Sequence, residues 1–406
     1  MIMLNKDIKI YKNRDADCSD ALILEDRRYR SYSDNISRFI RVLTSKYHML
    51  YIVLTTGKCN LKCRYCGGSF PPNLVPWRVN YSIANLKSFI SSDSKPVIAF
   101  YGGEPLLNVG FIREVMEELP DARFVIQTNG TLIGNLEPEY WLRFDTVLLS
   151  IDGREEVTDH YRGVGIYERA VEAARWLRSI GFNKDMVARM TVSEISDIFL
   201  DIGHLLSLNL FSYIHWQLNV IWSVPWKDFD VWCRDSYLPG ISRLVHLWIR
   251  KARKGEVLGL VPFLTLLKMM IKGEMIGRPP CGAGVDSLAI STNGDIIACP
   301  IAVDVEWAKL GNISLGTMSQ MINKVWIGEP CISCSYLKYC GGRCLYANYE
   351  RLWGEEGFRK TCEVTIYTIN KLAEIKEEVS SLLNRKVISM EQICYPPFNN
   401  TTEIIP

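Results

Sequence analysis

The chain has 406 residues, 48% of them apolar and 23% charged, which is the make-up of a folded protein long enough for one large barrel and a smaller module. Global disorder and a collagen-like fibre are excluded. Its 47 basic and 45 acidic residues leave a net charge of +2, too balanced for a protein held to nucleic acid mainly by phosphate neutralisation.

No stretch approaches the roughly 20 apolar residues that a membrane helix requires. The strongest candidate, Leu258–Ile271, is shorter and contains Lys268, so it reads as a buried or bridging helix. Met1–Asp7 show no basic region leading into an apolar run, and no signal peptide is expected. Both readings predict a cytoplasmic protein without a membrane partner. Cysteine is the outlier, at 13 residues. An odd count in a long chain without an export signal favours metal or cluster ligation over a disulfide framework.

Residues 1–49 read as an N-terminal extension, with room for a strand and a helix over 21–49. From residue 50 the chain alternates. Tyr51–Thr55, Val97–Phe100, Phe124–Gln127, Val147–Ile151, Met186–Val192 and Tyr213–Val220 are short apolar runs. Continuous rather than alternating apolar runs suit parallel strands covered on both faces. Helical periodicity marks Tyr81–Ile90, Val109–Leu119, Glu137–Phe144, Tyr167–Ile180 and Ile198–Leu208 between them. Six such units over 50–225 predict an α/β fold, a partial (β/α)6 TIM-like barrel. Residues 226–278 read as bridging helices. Residues 279–364 are rich in glycine and cysteine and short of periodic segments, so this small cysteine-rich domain needs metal to hold it. An amphipathic helix over 365–383 and a polar tail make up 365–406.

In a parallel barrel the chemistry sits at the C-terminal ends of the strands. Cys59-Xaa3-Cys63-Xaa2-Cys66 follows strand one, Gly102, Gly103 and Glu104 follow strand two, and Thr128, Asn129 and Gly130 follow strand three. Ser150, Ile151, Asp152 and Gly153 close strand four. Taken singly, the glycine- and asparagine-containing segments also read as turn chemistry; together they converge on one mouth. Three thiolates within eight residues can grip an iron–sulfur cube and leave one iron open for a small chelating molecule. A zinc knuckle and buried free thiols are the alternative readings of the spacing alone.

The cysteine spacing after a first barrel strand resembles the signature of radical S-adenosylmethionine (SAM) enzymes. Tyr65, just before Cys66, matches the aromatic that members place against the adenine. Gly102-Gly103-Glu104 looks like the segment that binds the SAM amino group. Ser150 and Arg162 are similar in context and spacing to SAM-binding positions of the sulfatase-maturase branch. The resemblance implies that Cys59, Cys63 and Cys66 hold a [4Fe–4S] cluster whose open iron binds SAM. It further implies reductive cleavage of SAM to a 5′-deoxyadenosyl radical that takes hydrogen from an inert C–H bond. The cofactor carries that chemistry; the barrel aims it and excludes water.

A second set, Cys281, Cys299, Cys331-Xaa2-Cys334-Xaa5-Cys340-Xaa3-Cys344 and Cys362, resembles the seven-cysteine SPASM domain of peptide-modifying radical SAM enzymes. By that resemblance Cys331, Cys334, Cys340 and Cys362 ligate one auxiliary cluster, and Cys281, Cys299 and Cys344 hold another, three [4Fe–4S] clusters in all. The last set is one ligand short. Some relatives have a further cysteine about where Ser287 stands here, so the site is completed by another residue or keeps an iron open to substrate. Cys18, Cys233 and Cys394 read as incidental or buried thiols.

Sulfatase maturation is disfavoured. Those enzymes carry an aspartate directly after the second auxiliary cysteine, where this chain has Pro300, and commonly a glutamine before Gly-Gly-Glu, where it has Tyr101. Cys299-Pro300 and the ending from Asn400 to Pro406 resemble archaeal peptide-modifying radical SAM proteins. Many peptide maturases carry a longer leader-binding module than the residues preceding strand one here. Asn129 and Asp152 are candidates for touching SAM or substrate, and each also reads as a turn residue. Arg189 either faces the barrel interior beside a carboxylate or lies outside. His160 reads as ordering a loop, and Trp216, Trp222 and Trp226 as core. The expected activity is hydrogen abstraction from a residue of a peptide or protein, giving a thioether, a crosslink or an oxidised side chain. A ferredoxin or flavodoxin is the expected electron donor. The rival readings are the same chemistry on a metabolite or RNA base, and a non-catalytic electron carrier or zinc scaffold.

Overall fold

All six apolar runs are strands, β1 Leu50–Thr56, β2 Val97–Gly102, β3 Arg123–Thr128, β4 Thr146–Ser150, β5 Asp185–Val192 and β6 Tyr213–Leu218, in the computed structural model, which describes residues 48–220, 224–401 and 405. The strand and helix expected before residue 48, Cys18 and Trp222 lie outside these residues. Each strand pairs in parallel with the next, in the order β6-β5-β4-β3-β2-β1. That sequential order is the winding of a barrel, every crossover running the same way around. Helices α1 Ile83–Ile90, α2 Val109–Glu118, α3 Pro138–Trp141, α4 Glu155–Arg162, α5 Ile166–Ser179 and α6 Ile198–Ser207 fill the crossovers.

The continuous apolar runs have the cause expected of them. One face of each strand packs on helices, as in the edge-to-face contact of Tyr51 with Phe89 of α1. The other face, with Leu50, Ile52, Val97, Ala99, Val125, Leu148 and Val187, forms a buried cluster on the concave side of the sheet. The segment expected as a helix over Glu137–Phe144 makes only one turn, α3, begun by Pro138. Helix α4 is an addition: only Val157 and Tyr161 among its buried residues are strongly apolar, too few to show helical periodicity.

The sheet does not end at β1. Strand β7 (Ser287–Ile290) pairs in parallel with β1, and the antiparallel strands β8 (Asp295–Ile297) and β9 (Lys309–Asn312) continue it to nine strands. The β7–β8 hairpin turns at Gly294, whose φ of +84° is left-handed and favours glycine. The cysteine-rich region is thus built onto the barrel edge. The bridging segment contains α7 (Leu238–Ala252) and α8 (Val261–Lys272), and the final helix α9 spans Gly354–Asn384. It starts earlier than its apolar periodicity indicated, with Glu355 and Glu356 suiting its first turn, so Cys362 sits on the helix itself. Residues 48–406 form one compact unit. Among the described residues no helix is long and apolar enough to cross a membrane.

Candidate active site

The loop after β1 carries Cys59, Cys63 and Cys66. Ser69 fixes it from both sides, accepting from the Cys59 N–H at 2.9 Å and donating to the Cys59 carbonyl at 3.3 Å. The Cys66 and Gly67 N–H groups both donate to the Cys63 carbonyl, at 3.1 and 2.9 Å, which makes a tight turn. A hydrogen bond shared by Cys63 and Cys66 pushes the Cys63 thiol up and lowers Cys66 to about 6. Burial pushes Cys59 up to about 11.

The loop after β2 is pressed onto this one. The Gly103 N–H donates to the Thr56 carbonyl at 3.0 Å, and the Glu104 N–H to the Lys58 carbonyl at 2.9 Å. A Cβ at Gly103 would lie 2.2 Å from the Lys58 oxygen and 2.8 Å from the Cys59 nitrogen. Both partners are backbone and cannot swing aside. Gly103→Ala is therefore expected to displace the cysteine loop, with loss of iron on reconstitution and of SAM binding, measured by iron assay and equilibrium dialysis. Wild-type iron content and affinity would show that the loops need not touch.

Glu104 is buried, and burial pushes its carboxyl up to about 7. It accepts from the Thr128 hydroxyl at 2.7 Å, the Asn129 N–H at 2.8 Å and the Leu106 N–H at 3.2 Å. Asn129 in turn donates from its amide to Asn60 in the cysteine loop at 2.9 Å. The first three loops are thereby stitched together through Glu104, Thr128 and Asn129, which the sequence singled out, and Asn60, which it did not.

The fourth loop closes the ring. Asp152 is fully buried and accepts four hydrogen bonds: from Tyr65 hydroxyl at 2.9 Å, Arg162 Nε at 2.8 Å, the Arg162 terminal nitrogen at 2.7 Å and the Thr191 N–H at 2.9 Å. The Arg162 guanidinium also lies 5.5 Å from the centre of the Tyr65 ring. Helix α4 exists at this place to bring Arg162 back under the cysteine loop, whose Arg64 N–H donates to the Tyr161 carbonyl at 2.8 Å. Ser150 is buried in the fifth position of β4, opposite Arg189 of β5. Arg189 faces the interior. Its guanidinium donates to the Gln217 side-chain oxygen and the Met190 carbonyl.

These loops enclose a cavity of about 300 Å³. Cys59, Cys63, Tyr65, Cys66, Gly102, Gly103, Glu104, Asn129, Ser150 and Arg162 line it. Ser287 of β7, Cys281 before it, Cys299 just after β8 and Cys344 at the start of a short helix line the same cavity. Asp152 stands behind this lining, holding Tyr65 and Arg162. Cys331, Cys334, Cys340 and Cys362 form a separate group close enough to disfavour one another's charge; with burial this pushes Cys331 up to about 12. Cys233 and Cys394 are buried. His160 is on the outside of α4 with its ring nitrogen 3.0 Å from Arg64, a loop contact. Trp216 and Trp226 are core residues, packed on Phe263 and on Phe229, Trp232 and Trp353 respectively.

Sequence reasoning missed Gln127, Thr191, Gln217 and Asn219, which line the cavity from β3, β5, β6 and the residue after β6. Their signal was present: each is a polar residue near the C-terminal end of an apolar run. It also missed Thr401, which lines the cavity from far along the chain and carries no local signal.

Residues 53–195 match the Radical SAM superfamily. Those residues form a radical SAM domain, which implies SAM and a [4Fe–4S] cluster as cofactors. The three thiols of the β1 loop line one cavity, with space beside them for a small chelating molecule. Among curated proteins the chain is 27% identical over 329 residues to the mycofactocin maturase MftC of Mycobacterium ulcerans (strain Agy99), covering 72% of this chain and 82% of that one. Among solved structures it resembles native anSMEcpe with bound AdoMet, at 18% identity and a TM-score of 0.65, covering 81% of this chain and 100% of the other. It also resembles Streptococcus suis SuiB bound to precursor peptide SuiA, at 16% identity and a TM-score of 0.50, covering 80% of each chain.

Proposed function

We propose that this enzyme modifies a residue of a peptide or protein by radical hydrogen abstraction. The observation that carries the reading is the shared cavity: the Cys59/Cys63/Cys66 loop and the Cys281/Cys299/Cys344 set open onto one space. The mycofactocin maturase relative and the SuiB complex with a precursor peptide support a peptide as the substrate class.

Cys59, Cys63 and Cys66 hold the SAM cluster. Tyr65, the Gly102–Glu104 segment, Ser150 and Arg162 surround SAM, with Asn129 and Asp152 fixing the loops that carry them. The bound cluster and SAM together supply a one-electron cleavage that yields a hydrogen-abstracting radical. The protein's part is to orient the reacting atom and keep water out. Cys331, Cys334, Cys340 and Cys362 hold one auxiliary cluster. Cys281, Cys299 and Cys344, which line the cavity, would hold the other. Electrons enter from a small donor such as a ferredoxin or flavodoxin.

The test is 5′-deoxyadenosine formation by anaerobically reconstituted protein with SAM and dithionite, with and without a peptide fraction from the host. Peptide should stimulate turnover severalfold. Stimulation by the small-molecule fraction alone would move the substrate class to metabolites, and brown protein that consumes no SAM would leave an electron carrier.

A further inference from the structure

The segment after α9 does not stay on the surface. A helical turn, Met390–Ile393, is capped by Ser389, and the chain then enters the concave face of the sheet. Tyr395 packs edge-to-face on Tyr213, the first residue of β6, at 5.0 Å. Phe398 packs against the buried cluster of inward side chains, Leu50, Ile52, Val125, Leu148 and Val187 among them. Asn399 bridges two strand starts. Its side-chain oxygen accepts from Arg123 of β3 at 3.1 Å, and its amide donates to Asp185 of β5 at 2.7 Å. Two residues later the Thr401 hydroxyl bonds to the side chain of Gln127, and both residues line the SAM cavity.

Strand positions give the direction of travel. Arg123, Val125 and Gln127 are alternate residues of β3 and so share one face. Arg123 opens the strand and Gln127 is its fifth residue, roughly 13 Å further along at the strand rise. The segment therefore passes up the interior from the closed end of the barrel to the reaction cavity. Asn399, Asn400 and Thr401 are 0%, 3% and 1% exposed. A loose tether would leave such polar residues in water, because burying them costs unless they are bonded. Asn400 has no side-chain hydrogen-bond partner among the described residues. Phe398 is held at a φ of +63°, a left-handed backbone that bulky side chains rarely adopt. The surrounding structure holds the segment in place against these costs.

We propose that residues 397–401 are a plug that forms the floor of the reaction chamber, with Thr401 as a chamber-facing residue. The plug separates the chamber from solvent at the other end of the sheet. Without it, water and small reductants reach the site through the interior, and SAM cleavage is no longer confined. The assignment of the chamber rests on the radical SAM reading; the plug does not depend on which substrate is used.

The test uses the full reconstituted protein with SAM and dithionite as the probes. Asn399→Ala cuts the bridge between Arg123 and Asp185. It should speed amide hydrogen exchange over 398–401 at least tenfold and raise substrate-independent 5′-deoxyadenosine formation about threefold or more, with iron content unchanged. Thr401→Phe keeps the bridge and fills the chamber from below. It should raise the KM for SAM several-fold and leave exchange over 398–401 as it was. The plug is overturned if that segment exchanges in the parent like unstructured peptide. It is overturned equally if Asn399→Ala frees the segment with less than a twofold change in turnover, or if Thr401→Phe leaves the KM unaltered. A parent that forms no 5′-deoxyadenosine overturns the chamber assignment itself, which distinguishes the two failures.

Discussion

Cys59→Ala is expected to reduce 5′-deoxyadenosine formation to the background of cluster-free protein while leaving the fold intact. The separation of the two effects follows from how the loop is held. Its anchors at this position are the Cys59 backbone N–H and carbonyl, both bonded to Ser69, and both survive the substitution. The side chain receives backbone contacts from its own loop, the Leu61 N–H lying 3.5 Å from sulfur. What is lost is one of three thiolates, and a cube gripped by two is poorly held. Iron content should fall by about one cluster while the thermal midpoint of the iron-free protein stays within a few degrees. Cys233→Ala is the control, since that thiol is buried away from the residues that line the cavity and should keep full turnover. A Cys59→Ala protein that still makes 5′-deoxyadenosine above background would remove the SAM cluster from this loop.

The barrel was legible because its strands are buried on both faces, so Leu50–Thr56 and its five successors read as unbroken apolar runs. The residues of the first three loops that line the cavity were legible because they follow those runs and carry chemistry of their own. The partners were not. Nothing local in Glu104 says that its carboxylate stitches the β3 loop, and nothing in Asp152 says that it binds Tyr65 eighty-seven positions away. Strands β7 and β8 were illegible for another reason. Four and three residues long, they are too short for a periodic signal and gain their order from pairing, β7 with β1 and β8 with β7 and β9. Residues 399–401 look polar and turn-like in sequence; their burial is imposed by Arg123, Asp185 and Gln127, all more than 200 residues earlier. Long-range polar pairing leaves no trace in local composition.

Asp152→Ala should destabilise the reconstituted enzyme by about 3–5 kcal/mol, the usual cost of breaking a buried ion pair from one side. Arg162 and Asp152 are 7% and 0% exposed at their side chains, so solvent screens the pair little. The substitution also strands the Tyr65 hydroxyl and the Thr191 N–H, each left without its acceptor. Against a total stability of roughly 5–15 kcal/mol that loss is a large fraction, visible as a lower urea midpoint. SAM affinity should fall with it, because Tyr65 and Arg162 both border the cavity and both are held by this carboxylate. The double variant Asp152→Ala with Arg162→Met separates the two roles. Removing the stranded charge should restore part of the stability, since residues that share a contact do not add. SAM affinity should stay low, because the guanidinium is then gone as well. Additive losses of less than about 1 kcal/mol each would mean that the pair is solvated and does not brace the site. Recovery of SAM affinity in the double variant would mean that Arg162 serves Asp152 alone and not the cofactor.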